Sequence, residues 1–310
     1  MRILFWGTPD FAVPSLRALD DEGYEVVGVV TQPDRPAGRG RKLTPSPVKD
    51  VATLMGIPVL APERPLGEDF LAAMGALAPD LSVVVAYGHI LRPEVLDVPP
   101  FGSINVHASL LPELRGAAPI NWAIARGYDV TGVTVMRMAE AMDAGPMLHR
   151  IEEPILPEES ASELSVRLSE LGAEALLEAL ALLTAGQLHE DAQDHARATF
   201  APKVGREVAR VDWSRPAREV ALHLRGMDAV PGAWSNLGGS AVKLFRPGVV
   251  AEAGAAPPGT VLFADAEHGL VVAVGDGAVA LREVQPPGRR RMDALDWIHG
   301  RGVHGGQRFV

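Results

Sequence analysis

The chain of 310 residues contains no cysteine. That excludes disulfides, thiolate nucleophiles and cysteine-ligated metals together. No uninterrupted run of 18 or more apolar residues occurs, so no segment reads as a membrane span. The opening MRILFWGTPDF holds too short an apolar stretch for the core of a signal peptide. Aromatic residues make up only 5%, and Trp6, Trp122, Trp213, Trp234 and Trp297 lack the spacing of a base-stacking platform. No Gly-x-Ser-x-Gly elbow is present, so a serine hydrolase has no support. His299 and His304 have no third ligand beside them, and no metal is expected. What remains is an ordinary globular composition, 47% hydrophobic and 22% charged, expected in the cytoplasm and needing no more than a monomer.

The formal net charge is −10, which at face value argues against a polyanionic partner. Its placement says otherwise. Residues 151–196 carry one basic residue, Arg167, against eleven acids, so the rest of the chain is neutral. Residues 33–50 hold five basic residues and two acids, and residues 203–310 hold 14 against 11. Two basic regions are therefore hidden in the average.

Apolar runs over Arg2–Trp6, Glu25–Thr31, Pro58–Leu60 and Leu81–Ala86 predict buried strands, with helices over Phe11–Asp21 and Glu68–Leu77 between them. This order predicts an α/β fold: a mostly parallel, Rossmann-like sheet with helices on both faces and a ligand crevice at the strands' carboxyl ends. The turn Gly7-Thr8-Pro9-Asp10 lacks the further glycines of a dinucleotide fingerprint, which disfavours a dehydrogenase. Ser160–Ala185 predicts one long helix, with Leu164, Leu168, Leu171, Leu176, Leu180 and Leu183 as its stripe and Ser160–Glu163 at capping-box spacing. Its acids read as a solvated face. Periodicity fades over 187–204, which reads as a linker. Beyond it, Ala241–Phe245, Gly259–Ala264, Leu270–Val274 and Ala278–Val284 predict a small OB-like β-barrel. The expected division is a catalytic domain over 1–186, a linker over 187–204 and a barrel domain over 205–310.

The densest polar cluster is Gly102–Pro112. Asn105 and His107, two apart on a strand, share a face. An amide that can donate to an oxyanion, beside an imidazole that can move a proton, suits acyl transfer. A histidine satisfied within a core has the same signature. Asp143, between strands expected over Gly132–Met138 and Met147–Glu153, could orient that imidazole, or could simply be a turn residue before Gly145.

The string HASLLPELRGAAPI (His107–Ile120) resembles the signature of the folate-dependent formyltransferases. FWGTPDFAVPSL, TQPDRPAGRGRKLTPSPVK (Thr31–Lys49), VVVAYGHIL (Val83–Leu91), ATFAPKV and PGAW extend the resemblance over essentially the whole chain, toward the branch that acts on initiator Met-tRNA. Asn105, His107 and Asp143 match that family's catalytic triad. The resemblance implies transfer of a formyl group from 10-formyltetrahydrofolate to the α-amino group of methionine on initiator tRNA, without a metal. It implies that Ser109, Leu110, Leu111 and Pro112 line the folate site. Backbone groups around Tyr87, Gly88, His89, Ile90 and Glu140 would surround the pterin. Three departures are Glu113-Leu114, where the family often has Arg-Trp, Ala144, where it often has Thr, and the less typical stretch Gly226–Val230 before Pro231.

Arg35, Arg39, Arg41 and Lys42 lie among prolines and glycines, which predicts an irregular cationic loop rather than a helix. Such a loop could contact acceptor-stem phosphates, or could be only a solvated surface. Lys243, Arg246, Arg289, Arg290 and Arg291 would supply a second cationic surface on the barrel. The rivals are the same chemistry on glycinamide ribonucleotide or an amino sugar, a hydrolase releasing formate, and a non-catalytic RNA-binding protein.

Overall fold

The computed structural model describes residues 1–37, 42–250 and 256–310. The chain forms two compact units. The first comprises Met1–Pro119, Val130–Pro154 and Ser165–Ala201; the second comprises Ile120–Asp129, Ile155–Leu164 and Pro202–Val310.

In chain order to the middle of the molecule the elements are β1 (Arg2–Gly7), α1 (Val13–Asp21), β2 (Glu25–Val30), β3 (Arg35–Ala37), β4 (Lys42–Thr44), α2 (Pro47–Leu54) and β5 (Val59–Leu60). There follow α3 (Glu68–Ala76), β6 (Leu81–Val85), α4 (Pro93–Leu96), β7 (Ser103–His107), α5 (Pro119–Ala125), β8 (Val130–Arg137), β9 (Met147–Pro154) and α6 (Ala161–Thr184). The first unit's sheet has the order β5-β2-β1-β6-β7-β8-β9. Its first five strands are parallel; β8 runs antiparallel to β7, and β9 antiparallel to β8. The apolar runs are continuous because their side chains are covered on both faces, and Ile3, Leu4, Phe5 and Trp6 have no exposure. Gly132 is fixed by space: a Cβ there would stand 2.1 Å from the Ile151 carbonyl on β9.

One expectation needs correction. The described residues of 33–49 are not all irregular: β3 and β4 pair antiparallel, with Arg35 opposite Thr44 and Pro36 opposite Leu43, and α2 begins at Pro47. A two-stranded ribbon leaves each strand an unpaired edge, where a proline's missing N–H costs no ladder bond. Gly38, Arg39, Gly40 and Arg41 lie outside the described residues. The stretch 187–204 is tied by backbone pairing to the first unit. Asp191 exchanges two backbone hydrogen bonds with Met147, and Thr199 and Ala201 pair with Arg115. Backbone pairing of this kind needs no apolar period, so the sequence pattern does not reveal it.

Helix α6 has the expected stripe. Leu164, Leu168, Leu176 and Leu180 are fully buried, Leu171 and Leu183 half-buried, and Glu170, Glu174 and Glu178 exposed. Its capping box is closed, the Ser160 N–H donating to Glu163 at 2.9 Å. Gly172 faces the back of β7: a Cβ there would be 3.1 Å from Val106 Cγ1, so the helix lies close against the strand that carries His107.

The second unit contains α7 (Ala217–Gly226), β10 (Trp234–Leu237), β11 (Ser240–Val250), β12 (Val261–Asp265), β13 (Gly269–Val274), β14 (Gly277–Gln285), β15 (Met292–Asp293) and α8 (Ala294–His299). The antiparallel order is β10-β11-β14-β13-β12, with β15 on β14. The terminal stretch 307–310 runs between β10 and the start of β12. Val310 exchanges two backbone bonds with Asn236, and Phe309 donates to Gly259. This bridges the two edge strands, giving the small barrel-like sheet expected. Its core gathers Trp213, Leu224, Leu244, Val272 and Phe309. Among the described residues, no helix of either unit is long and apolar enough to cross a membrane.

Candidate active site

Strand β7 carries Asn105 and His107 at the middle of the first unit's sheet. Asn105 lies beside Val84 on β6 and Met136 on β8, and His107 beside Thr134. Asn105 is half-buried, and among the described residues its amide has no hydrogen-bond partner. The His107 ring is buried, with Nε2 3.0 Å from the Leu114 carbonyl. A carbonyl only accepts, so Nε2 carries a proton and donates. That leaves Nδ1 free to take one up. Nδ1 stands 3.7 Å from Asp143 Oδ2, and both side chains are largely shielded, at 7% and 15% exposure. A proton arriving at Nδ1 thus meets a carboxylate across a short gap.

The loop between β8 and β9 brings Asp143 there. Asp143 has a left-handed backbone (φ 50°), and its Oδ2 accepts from the Gly116 N–H at 2.7 Å. Two residues on, a Cβ on Gly145 would stand 2.0 Å from the Arg137 carbonyl, so only glycine closes the loop there. His107 and Asp143 are therefore held by one short segment: Leu114 by its carbonyl, Gly116 by its N–H. The departure at Glu113-Leu114 leaves this intact, because the Leu114 contribution is a backbone oxygen.

The segment after β6 is open. Tyr87 is buried, its carbonyl accepting from Thr8 Oγ1 at 3.0 Å and Gln32 Nε2 at 2.9 Å. Burial pushes its hydroxyl up to about 12, so it stays protonated. Gly88 has φ 89°, and a Cβ there would meet Gln32 Nε2 at 2.5 Å. His89 and Ile90 are exposed, as are Glu140 and Met142 on the Asp143 loop. Ile90 is 76% and Met142 56% exposed. Among the described residues, no backbone N–H from Tyr87 to Ile90 has a protein partner. Open amides beside exposed apolar side chains suit a flat heterocycle with donors and acceptors along one edge, so these residues fit a pterin.

Of the four residues expected to line that site, three are buried and one is half-exposed. Ser109 has no exposure, its hydroxyl donating to the Glu113 carbonyl at 2.6 Å. Leu111 packs with Met136 and Met147, and Pro112 is buried. Only Leu110 remains half-exposed. The side chains of Ser109, Leu111 and Pro112 hold the turn's shape, because the bonds Thr134 makes to Ser109 and Leu111 turn this segment inward.

The basic residues divide in two. Arg35 and Lys42 are exposed on the β3–β4 hairpin, with Arg35 Nη2 donating to Gln32 Oε1 at 2.6 Å. Arg39 and Arg41 fall outside the described residues. In the second unit Arg289 and Arg290 are exposed, and Lys243 and Arg289 line a cavity of about 320 Å³. Sequence reasoning overlooked two of its other walls, Arg206 and Trp234, whose guanidinium and ring lie 4.3 Å apart. Arg246 and Arg291 correct the expectation of a free cationic surface. Arg246 is bound to Glu163 at 2.8 and 3.1 Å. Burial alone would raise the Glu163 carboxyl, but bonds from Ser160 and Arg246 outweigh it and draw it down to about 2. Arg291 grips Asp228 at 2.9 and 3.1 Å, also binds Glu283, and lies over the Phe245 ring.

The chain is similar to known proteins along nearly its whole length. Residues 1–180 match the formyl transferase family, and residues 203–302 match the formyl transferase C-terminal domain. The methionyl-tRNA formyltransferase of Desulfotalea psychrophila is 49% identical over 300 residues, covering 97% of this chain and 93% of its own. That of Symbiobacterium thermophilum is 48% identical over 311 residues, covering 100% and 95%. Among solved structures, HypX from Aquifex aeolicus in complex with tetrahydrofolic acid shares the fold, with a TM-score of 0.67 at 21% identity over 96% of this chain and 46% of its own. Asn105, His107 and Asp143 all fall within the first matched region, and the chain belongs to the formyl transferase family.

Proposed function

We propose that the chain transfers a formyl group from 10-formyltetrahydrofolate to the α-amino group of methionine on initiator Met-tRNA, as a cytoplasmic monomer that holds the acceptor stem. The observation that carries this reading is the approach of His107 Nδ1 to Asp143 Oδ2 at 3.7 Å, on the strand whose Asn105 amide has no partner among the described residues. When bound, the folate supplies the formyl carbon. Asn105 donates to the oxygen that gains charge as the amine adds. His107 takes the amine's proton at Nδ1 and returns it to the departing nitrogen, and Asp143 stabilises the imidazolium between those events. The Leu114 carbonyl keeps the ring from turning.

Purified protein, given 10-formyltetrahydrofolate with initiator or elongator Met-tRNA, should formylate the initiator alone. Formylation of glycinamide ribonucleotide or an amino sugar, or release of formate without an acceptor, would each replace this reading with a rival.

Of the basic residues expected to meet tRNA, Arg35 and Lys42, together with Lys243, Arg289 and Arg290, supply the charge for its phosphates; Arg39 and Arg41 extend the first group in sequence. Lys42→Ala is expected to weaken tRNA use and leave the KM for the formyl donor unchanged. The slope of log affinity against log salt should become shallower by about 0.9, one phosphate's worth. An unchanged slope removes Lys42 from the interface.

A further inference from the structure

The chemistry proposed above depends on two loops that share one buried side chain, Gln193, in the stretch that reads as a linker. Gln193 Nε2 donates to the Asp143 carbonyl at 2.9 Å and to the Gly145 carbonyl at 2.7 Å. Its Oε1 accepts from Arg115 Nε at 3.1 Å and from Arg115 Nη2. Two carbonyls on one side and a guanidinium on the other leave only one orientation for the amide. Gln193 and Arg115 are each 6% exposed, so neither bond is in competition with bulk water.

The position of Arg115 gives this contact its meaning. Arg115 sits between Leu114, whose carbonyl takes the His107 Nε2 proton, and Gly116, whose N–H holds Asp143 Oδ2. Its own backbone is paired on both sides, the N–H with Thr199 and the carbonyl with Ala201. Its Nη2 also donates to His195 Nδ1 at 3.0 Å. The Asp143 loop and the 114–116 segment are thus clamped to each other through the Gln193 amide, in addition to the direct bond from the Gly116 N–H to Asp143 Oδ2.

We propose that Gln193 is a positioning residue for formyl transfer, fixing the separation between the His107 ring and the Asp143 carboxylate. This rests on the roles assigned above to those two residues. Gln193 meets neither substrate; it acts through the backbone at Asp143 and Gly145. An amide is required because one end must donate twice and the other accept twice. Glutamate keeps the grip on Arg115 and sets a carboxylate oxygen against the two carbonyls.

The test is a double-mutant cycle on formylation of initiator Met-tRNA, with Gln193→Glu and Asp143→Asn made singly and together. Gln193→Asn, one methylene shorter with the amide kept, serves as a milder second variant, and thermal melting of each establishes the folded fraction. Gln193→Glu should lower kcat about 10- to 100-fold with the KM for donor and tRNA within about twofold, since misplacement near a reacting centre acts on rate. Gln193→Asn should fall between it and the parent. In the Asp143→Asn background either change should cost less than about a further twofold, because the carboxylate they position is gone. The same fold-loss in both backgrounds would mean general support of the fold and overturns the proposal. So does parental kcat in both Gln193 variants alongside an impaired Asp143→Asn. Parental activity in Asp143→Asn alone would instead overturn the catalytic reading on which this one stands.

Discussion

His107→Ala is expected to slow formylation about 10²- to 10⁴-fold, the usual contribution of a positioned acid–base group. In barrier height that is on the order of 3–5 kcal/mol. The loss should fall on kcat. Nε2 is held by the Leu114 carbonyl and Nδ1, beside Asp143, is the atom proposed to move the proton, so the change removes the proton-transfer step. Single-turnover formylation with both substrates saturating is the direct measurement, and a rate within tenfold of the parent would remove His107 from the chemistry. Asn105→Ala makes a useful companion. Loss of a donor to the oxyanion should lower kcat without changing the shape of the pH profile, whereas loss of the base should flatten it.

The second large effect concerns stability. Arg291→Met should destabilise the second unit by about 2–4 kcal/mol, because it leaves a carboxylate without its partner away from water. Asp228 has a side chain only 3% exposed, and the Arg291 guanidinium covers it with two hydrogen bonds. Glu283 loses a partner in the same step, and Phe245 loses the cation above its ring. Adding Asp228→Asn to Arg291→Met should recover a good part of the loss, since the stranded charge is then removed. Urea unfolding followed by tryptophan fluorescence reads both, Trp213 and Trp234 being in this unit. A loss under about 0.5 kcal/mol would rank the pair with ordinary surface ion pairs and return Arg291 to the candidates for tRNA contact.

Arg291 also shows where sequence reading stops. Its charge is plain in the run Arg289-Arg290-Arg291, but its partner Asp228 lies 63 positions away and is brought there by the barrel. Charge can be counted in a sequence; neutralisation by a remote carboxylate cannot. The central strands were legible for the opposite reason, because burial on both faces leaves an unbroken apolar run such as Arg2–Trp6. Two-residue spacing on a strand put Asn105 and His107 on a common face but left a core histidine open, and the place of Asp143 before Gly145 pointed equally to a turn residue; the resemblance of His107–Ile120 to the formyltransferases is what joined the three. The β3–β4 hairpin was hidden by Pro36 and its neighbouring glycines, which argue against strands in general but not against a free ribbon edge. Gln193 was hidden more completely. One polar residue in an aperiodic stretch carries no local signal, and its importance arises only from Arg115, Asp143 and Gly145 meeting around it.

The pairing of residues 112–118 with 193–201 also bears on synthesis. Strands β1 to β7 leave the ribosome well before Gln193 and Thr199, which follow Arg115 by about eighty positions. At roughly 5–20 residues per second, that is a delay on the order of 4–16 s. Through that interval the nascent chain can have His107 on its strand but not the clamp that sets Asp143 against it. Catalytic competence therefore arrives after the sheet is built, on a stretch of chain that contributes no strand to it.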